Sequence, residues 1–507
     1  MSSESGGSAT SAAQVVIAEV RAAAQAWAAL PIAERASRLA AAGKKMLADA
    51  EGLAELVALE TGRPLAECYA GDVVGVADLF GYWCRRGPAH LAPREGRIPA
   101  LDMPGKKARI ERAPRGVVAV ISPWNYPVAI PMRTIVPALL AGNGVVLKPS
   151  EVTPRSGAWL VDQLRGALGP VIGLVEGDGS AGAALIEAQP DMVVFTGSNT
   201  TGRKVAIACA ERSIAFELEL GGKDCAVVLE DVDVERAAAG VAWGICANTG
   251  QNCAGIERVA VHADIAGRFV PSLVDALERA RADVPELTSA AQRLVVERHI
   301  SQALAAGARC LTGGMPDGDG PIPPTLLVDV PRDAAAWCDE SFGPIAVLEV
   351  HADDASLVAA ANDSEFGLGA SVWSRDGARA ERLAGALTTG MVWINNHAFT
   401  GAVPDLPWTG RGASGGGVTG SPEALMHLTR PRLVVIDRAT ALEPWWYPYG
   451  DSMLELMRRV VARQLQGGIG ATLRTLGALK ARNRDLAAAA RGEARSVAGA
   501  QGTEEER

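Results

Sequence analysis

Residues 116–127 read GVVAVISPWNYP. The apolar run Val117–Ile121 stops at a Ser-Pro pair, as a strand buried on both faces would on reaching a loop. Residues 137–151, PALLAGNGVVLKPSE, read as a helix, a glycine-containing turn and a second buried strand. The pattern repeats in MVVFTGSNTTG (192–202), and FELELGGKDCAVVLED (216–231) holds two more short strands. Short apolar strands alternating with helical segments predict an α/β fold with parallel sheets. A second α/β set follows Cys253, with strands expected near 257–262, 345–350 and 391–395.

Outward from these strands the chain changes character. Residues 13–60 are alanine-rich with apolar residues at helical spacing, and Pro31 sits where a second helix can begin. KKARIER (106–112) alternates like an exposed strand, and after RIPALDMPG it suggests a hairpin. EPWWYPY (443–449) is a break in composition, beyond which an arginine- and alanine-rich helix is interrupted by GGIG.

The 507 residues exceed what one core usually serves, so two or three domains are expected. A net charge of −9 argues against nucleic acid as a partner. The eight cysteines form no C-x-x-C pair and suggest neither a metal site nor a disulfide framework; reduced thiols in a cytoplasmic protein are the simpler reading. MSSESGGSAT lacks the basic and apolar parts of a signal peptide and reads as disordered. No apolar run is long enough to cross a bilayer.

Chemistry enters at NTGQNCAG (248–255), where Cys253 sits among small and polar neighbours. A thiolate adds readily to a carbonyl, and then needs oxyanion donors, a base and a route for the leaving group. Asn125 follows a buried strand and can donate through its amide. Glu219 lies among apolar residues beside Gly221 and Gly222, a setting that favours a poised base. Taken singly, each has a plainer reading: a buried small hydrophobe, a turn residue, a structural ion-pair partner. FTGSNTTG alone is a weak glycine loop.

Together PWNYP, LKPSE, FTGS, ELGGK, GQNC and ESFGP, in this order, resemble the aldehyde dehydrogenase superfamily from about residue 15 to about residue 438. The resemblance implies a Rossmann-like NAD-binding domain (15–95 and 115–219) and an α/β catalytic domain (220–427). It also implies an oligomerisation element (96–114 and 428–440), leaving a disordered 1–14 and an amphipathic appendage at 441–507. By the same resemblance Cys253 is the nucleophile, Asn125 an oxyanion donor and Glu219 the base that activates water. The implied reaction oxidises an aldehyde to the carboxylic acid through a cysteine thioester. Lys148 and Glu151 match residues on the adenosine ribose, with Glu151 favouring NAD over NADP. Ser198 matches a pyrophosphate contact, Trp124 the cofactor wall, and Glu340 and Phe342 contacts to the nicotinamide ribose and ring. Such enzymes form homodimers or homotetramers. A CoA-acylating enzyme and a non-catalytic binding protein rank behind, since Glu219, Cys253 and Asn125 are all present.

The pattern is broken in places. Asp339 precedes the second glutamate, 280–290 is short, and the loop LPWTGRGASGGG (406–417) carries an unusual tryptophan and glycine. Arg133 stands where some semialdehyde dehydrogenases hold a substrate carboxylate, so a succinic-type semialdehyde is an alternative substrate. The competing reading pairs Arg133 with a structural carboxylate. In the appendage, apolar residues from Leu454 to Leu479 recur near helical spacing among basic ones. That pattern suggests either peripheral membrane or partner contact, or a helix folded back on the protein.

Overall fold

The computed structural model describes residues 3–99 and 103–491. Its contacts divide the chain into two compact units, Met1–Pro93 with Glu111–Arg432, and Arg94–Ile110 with Leu433–Arg507.

The larger unit holds two large sheets and a two-stranded one, Trp408–Thr409 with Val418–Thr419. The first has five parallel strands in the order Ile172–Leu174, Gly144–Lys148, Val117–Ile121, Met192–Thr196, Ala215–Glu219. The second has seven, in the order Arg309–Thr312, Thr325–Val328, Ile345–His351, Ile256–His262, Asp224–Val228, Gly369–Trp373, Met391–Ile394. All its neighbours are parallel except the first two.

Continuous apolar strands are required because both faces are covered. Val118, Val120, Val145, Leu147 and Val194 join one core beneath helices Ile32–Met46, Gly75–His90 and Ala129–Ala141. Their neighbours Val117, Ala119, Val146, Val193 and Phe195 join a second core on the other face. The second sheet divides likewise, with Ala226, Val228, Val259 and Val261 on one side and Cys225, Val227 and Ala260 on the other. Each valine, leucine or phenylalanine among them contributes roughly 1.5–3 kcal/mol on burial.

Of the segment 1–14 expected to be disordered, residues 3–14 are helical, and residues 1–2 lie outside the described residues. A helix spans Ser3–Ala29. Ala13, Ile17, Val20, Ala24 and Trp27 form a buried stripe at helical spacing, which anchors the helix and lets it extend toward the N-terminus. Pro31 caps the next helix, Ile32–Met46.

In the smaller unit, Arg94–Gly96 pairs antiparallel with Lys106–Pro114, and Thr429–Asp437 completes a three-stranded sheet. Residues 100–102 of the hairpin lie outside the described residues. The tail forms two helices, Asp451–Gln466 and Ile469–Ala490, broken at Gly467–Gly468, where GGIG stands. The hairpin and the tail thus fall in one unit, although the sequence suggested separate elements.

Candidate active site

Parallel strands deliver their loops to one edge, and ligand sites gather at the carboxyl ends. Trp124 and Asn125 follow Val117–Ile121, Lys148 ends its strand, Ser198 follows Met192–Thr196, and Glu219 ends the last strand. From the second sheet, Cys253 lies on the loop leading into Ile256–His262.

That loop is held in an unusual conformation. Asn248, Thr249 and Gly250 have φ of 54°, 56° and 70°. Left-handed backbone costs energy for a side chain such as threonine, so neighbours must fix it. Asn248 Nδ2 donates to the carbonyls of Asn125 (2.9 Å) and Gln251 (3.1 Å). Asn125 Nδ2 donates to Gln251 O at 3.0 Å, which leaves its second N–H available. His397 Nε2 lies 2.7 Å from Ala254 O, and burial pushes the ring's pKa down to about 4, so the neutral ring donates there. The double glycine after Glu219 is also required. A Cβ on Gly222 would lie 2.2 Å from Cys253 O, and one on Gly221 would lie 2.2 Å from Glu340 Oε2.

The Cys253 thiol and the Glu219 carboxylate act on each other directly. Burial, then the charges of Glu219, Glu340 and Asp224, push the thiol well above its ordinary range; Arg133 opposes them. Burial also raises Glu219, against Arg133, a hydrogen bond from Trp408 and the Cys253 thiol itself. Trp408 Nε1 donates to Glu219 Oε1 at 3.0 Å. Both shifts favour the neutral forms, and the proton of Cys253 rests on sulfur.

Cys253, Arg133 and Trp408 line a cavity of about 880 Å³, and Glu219 is joined to it through its hydrogen bond from Trp408. Its walls are mostly small and apolar: Ala66, Ala70 and Gly71 on one side, Ala239, Ala242 and Cys246 on another. Trp243 and Phe399 also line it and are half-exposed. Arg133 stacks on the Trp408 ring, 5.0 Å from its centroid. Among the described residues it enters no ion pair at contact distance, and its charge acts on the buried Glu219 carboxyl.

The remaining predicted residues fall in two places. Lys148 Nζ lies 3.1 Å from Glu151 Oε2, with the lysine buried and the carboxylate about half-exposed. Ser198 caps helix Asn199–Glu211, whose first turn holds no acidic residue, leaving its N–H groups suited to an anion. Glu340 Oε1 accepts from Gly222 N at 3.0 Å, and burial with the Glu257 charge pushes its carboxyl up to about 8. Phe342 has φ 49° and meets Trp124 edge-on at 5.5 Å between ring centroids.

Sequence reasoning missed the supports. Glu257 Oε1 accepts from the N–H groups of Ser341 (3.0 Å) and Phe342 (2.9 Å), and its other oxygen binds Lys223 Nζ at 2.5 Å. Asn248 and His397 carried no signal beyond being polar residues near motifs. Trp408 did carry one, as the odd residue of the 406–417 loop.

The model of the aldehyde dehydrogenase family matches residues 5–434. A 4,4'-diapolycopene aldehyde oxidase of Methylomonas sp is 38% identical over 452 residues, covering 87% of this chain and 85% of the relative. A Mycobacterium ulcerans (strain Agy99) protein, provisionally named succinate-semialdehyde dehydrogenase (NADP+) 2, is 34% identical, covering 88% and 89%. The crystal structure of PnpE in complex with nicotinamide adenine dinucleotide aligns with a TM-score of 0.80 at 33% identity, covering 84% of this chain and 90% of that one.

Proposed function

The chain belongs to the aldehyde dehydrogenase family and is an oxidoreductase acting on aldehydes; within that activity, we propose that it makes the carboxylic acid through a covalent bond to Cys253. The observation that carries this reading is a thiol that lines the cavity and is hydrogen-bonded to the buried Glu219 side chain. Cys253 Sγ adds to the aldehyde carbon, and the thiol proton leaves to solvent. The free N–H of Asn125 and the backbone N–H of Cys253 serve the oxyanion. Bound NAD supplies the acceptor for the hydride that the tetrahedral thiohemiacetal loses on becoming a thioester. Glu219 then draws a proton from water, whose oxygen attacks the thioester and releases the acid and the thiol.

Lys148 and Glu151 suit a ribose diol, one as donor and the other as acceptor, and the N-terminus at Ser198 suits a pyrophosphate. Trp124, Phe342 and Glu340 stand where the nicotinamide end would be held. Glu151 would meet a 2′-phosphate with like charge, which favours NAD over NADP. The substrate we infer is an extended apolar aldehyde. A cavity of about 880 Å³ walled by alanine and glycine suits it better than a short polar one. The diapolycopene aldehyde in the name of the Methylomonas relative supports that choice.

A second reading rests on Arg133, whose unpaired guanidinium beside Cys253 could hold the far carboxylate of a succinic-type semialdehyde. As a quaternary state we propose a homodimer or homotetramer. Thr429–Asp437 is an edge strand with Leu433, Val435 and Ile436 exposed, a surface that pairing would cover.

NADH absorbance with an aldehyde panel tests the function. Cys253→Ala should be inactive, and Glu219→Gln should give a burst of NADH followed by slow turnover. Full steady-state activity in either variant removes the mechanism. If succinic semialdehyde outruns a neutral long-chain aldehyde, and Arg133→Leu abolishes that preference, the second substrate reading replaces the first.

A further inference from the structure

The two tail helices pack against each other and bury Leu456, Ala471, Thr475 and Leu486. Their other faces are not covered within this unit. On the first helix Leu454, Val461 and Leu465 are 51%, 53% and 81% exposed. Their spacings of seven and four place them on one face, with Arg458 between them. Across the Gly467–Gly468 break, Ile469 and Leu473 are 82% and 63% exposed and again share a face. The most exposed leucine and isoleucine therefore stand together at the tip of a helical hairpin. A soluble surface does not ordinarily gather large aliphatic side chains in this way.

Charge says what would cover this tip. From Leu456 to Arg484 the chain has seven Arg or Lys and no Asp or Glu, in a protein of net charge −9. Arg458, Arg474, Lys480 and Arg484 are exposed and enter no ion pair among the described residues. Long cationic side chains beside an apolar face can extend their charged ends to headgroups while the aliphatic residues enter the acyl boundary. A two-fold contact of this face with its own copy would instead set the same cations against each other.

We propose that the hairpin tip, with Leu465, Ile469 and Leu473 as its apolar part and Arg458 and Arg474 as its basic part, docks the protein on an anionic lipid surface. It lies on the surface and does not span it, since no single helix among the described residues is long and apolar enough to cross a membrane. The proposal is independent of the catalytic reading, because none of these residues lines the cavity.

Sedimentation of the full chain with phosphatidylglycerol–phosphatidylcholine vesicles tests it. The wild type should pellet at low salt and be released as salt rises. L465E/I469E and R458Q/R474Q should each bind at least tenfold more weakly. Both sites are exposed, so aldehyde oxidation in solution and thermal unfolding should match the wild type and show that the variants fold. Three results would overturn the proposal: no pelleting of the wild type, equal pelleting with pure phosphatidylcholine, or equal binding of the L465E/I469E variant. So would a change of molecular mass by light scattering in L465E/I469E without any vesicle binding by the wild type, which would assign the tip to self-association.

Discussion

At the scale of a residue, the thiol and its neighbours set the pH behaviour. Burial and three carboxylates hold Cys253 well above the ordinary thiol range. The thiolate fraction of the cofactor-free protein should then rise about tenfold per pH unit through neutrality and past pH 8. Iodoacetamide labelling of the Cys253 peptide, followed by mass spectrometry, should climb with that slope. A plateau below pH 8 would contradict the environment described. Trp408 acts in the opposite sense on Glu219, because its N–H favours the charged carboxylate. Trp408→Phe keeps an aromatic side chain and removes the donor, so the carboxylate pKa should rise further. The acidic limb of steady-state turnover should move upward, and an unmoved limb would show that Glu219 does not depend on Trp408.

At the scale of an element, the strands were readable because a strand covered on both faces must be continuously apolar. Val117–Ile121, Gly144–Lys148, Met192–Thr196 and Asp224–Val228 lie where that pattern placed them. Cys253, Glu219 and Asn125 could be picked out because motifs flank them. Their supports could not, since the partners are distant in sequence: Trp408 reaches Glu219 across 189 residues and His397 reaches Ala254 across 143. Only the fold brings such pairs together. The first turns of the N-terminal helix were missed for a different reason. Its first residues look polar and flexible, and its order comes from a stripe that begins at Ala13. The catalytic loop also depends on a glycine that no periodicity explains. Gly222→Ala would drive a methyl group into the Cys253 carbonyl at 2.2 Å, and that backbone has no rotamer to yield. Cys253 must then shift. Turnover should fall by about two orders of magnitude, as a displacement of an ångström in a reacting group can cause. Circular dichroism should stay native, and wild-type kinetics in this variant would mean that the loop tolerates displacement.

At the scale of the whole molecule, the two units differ in how much apolar surface secures them. Strands Val117–Ile121 and Ile256–His262 are buried at every residue and belong to large cores. The tail helices bury few large side chains, Leu456 and Leu486 among them, and leave Leu454, Val461, Leu465, Ile469 and Leu473 exposed. Arg482 fastens the second helix to the preceding segment through the carbonyls of Pro444 (2.8 Å) and Trp446 (2.6 Å). Those bonds hold one end and leave the Gly467–Gly468 tip without comparable support. Local opening free energy follows buried apolar contact, so the units should not open as one. Hydrogen exchange read by mass spectrometry should show amides of 451–490 exchanging at least a hundredfold faster than those of 117–121 and 256–261. Within the tail, peptides around 463–473 should exchange before those around 482–486, where Arg482 and Leu486 are buried. Equal protection across the tail and the two strands would mean that contacts beyond those of its own unit hold the tail, and the hairpin would then lack the independence that its buried surface implies.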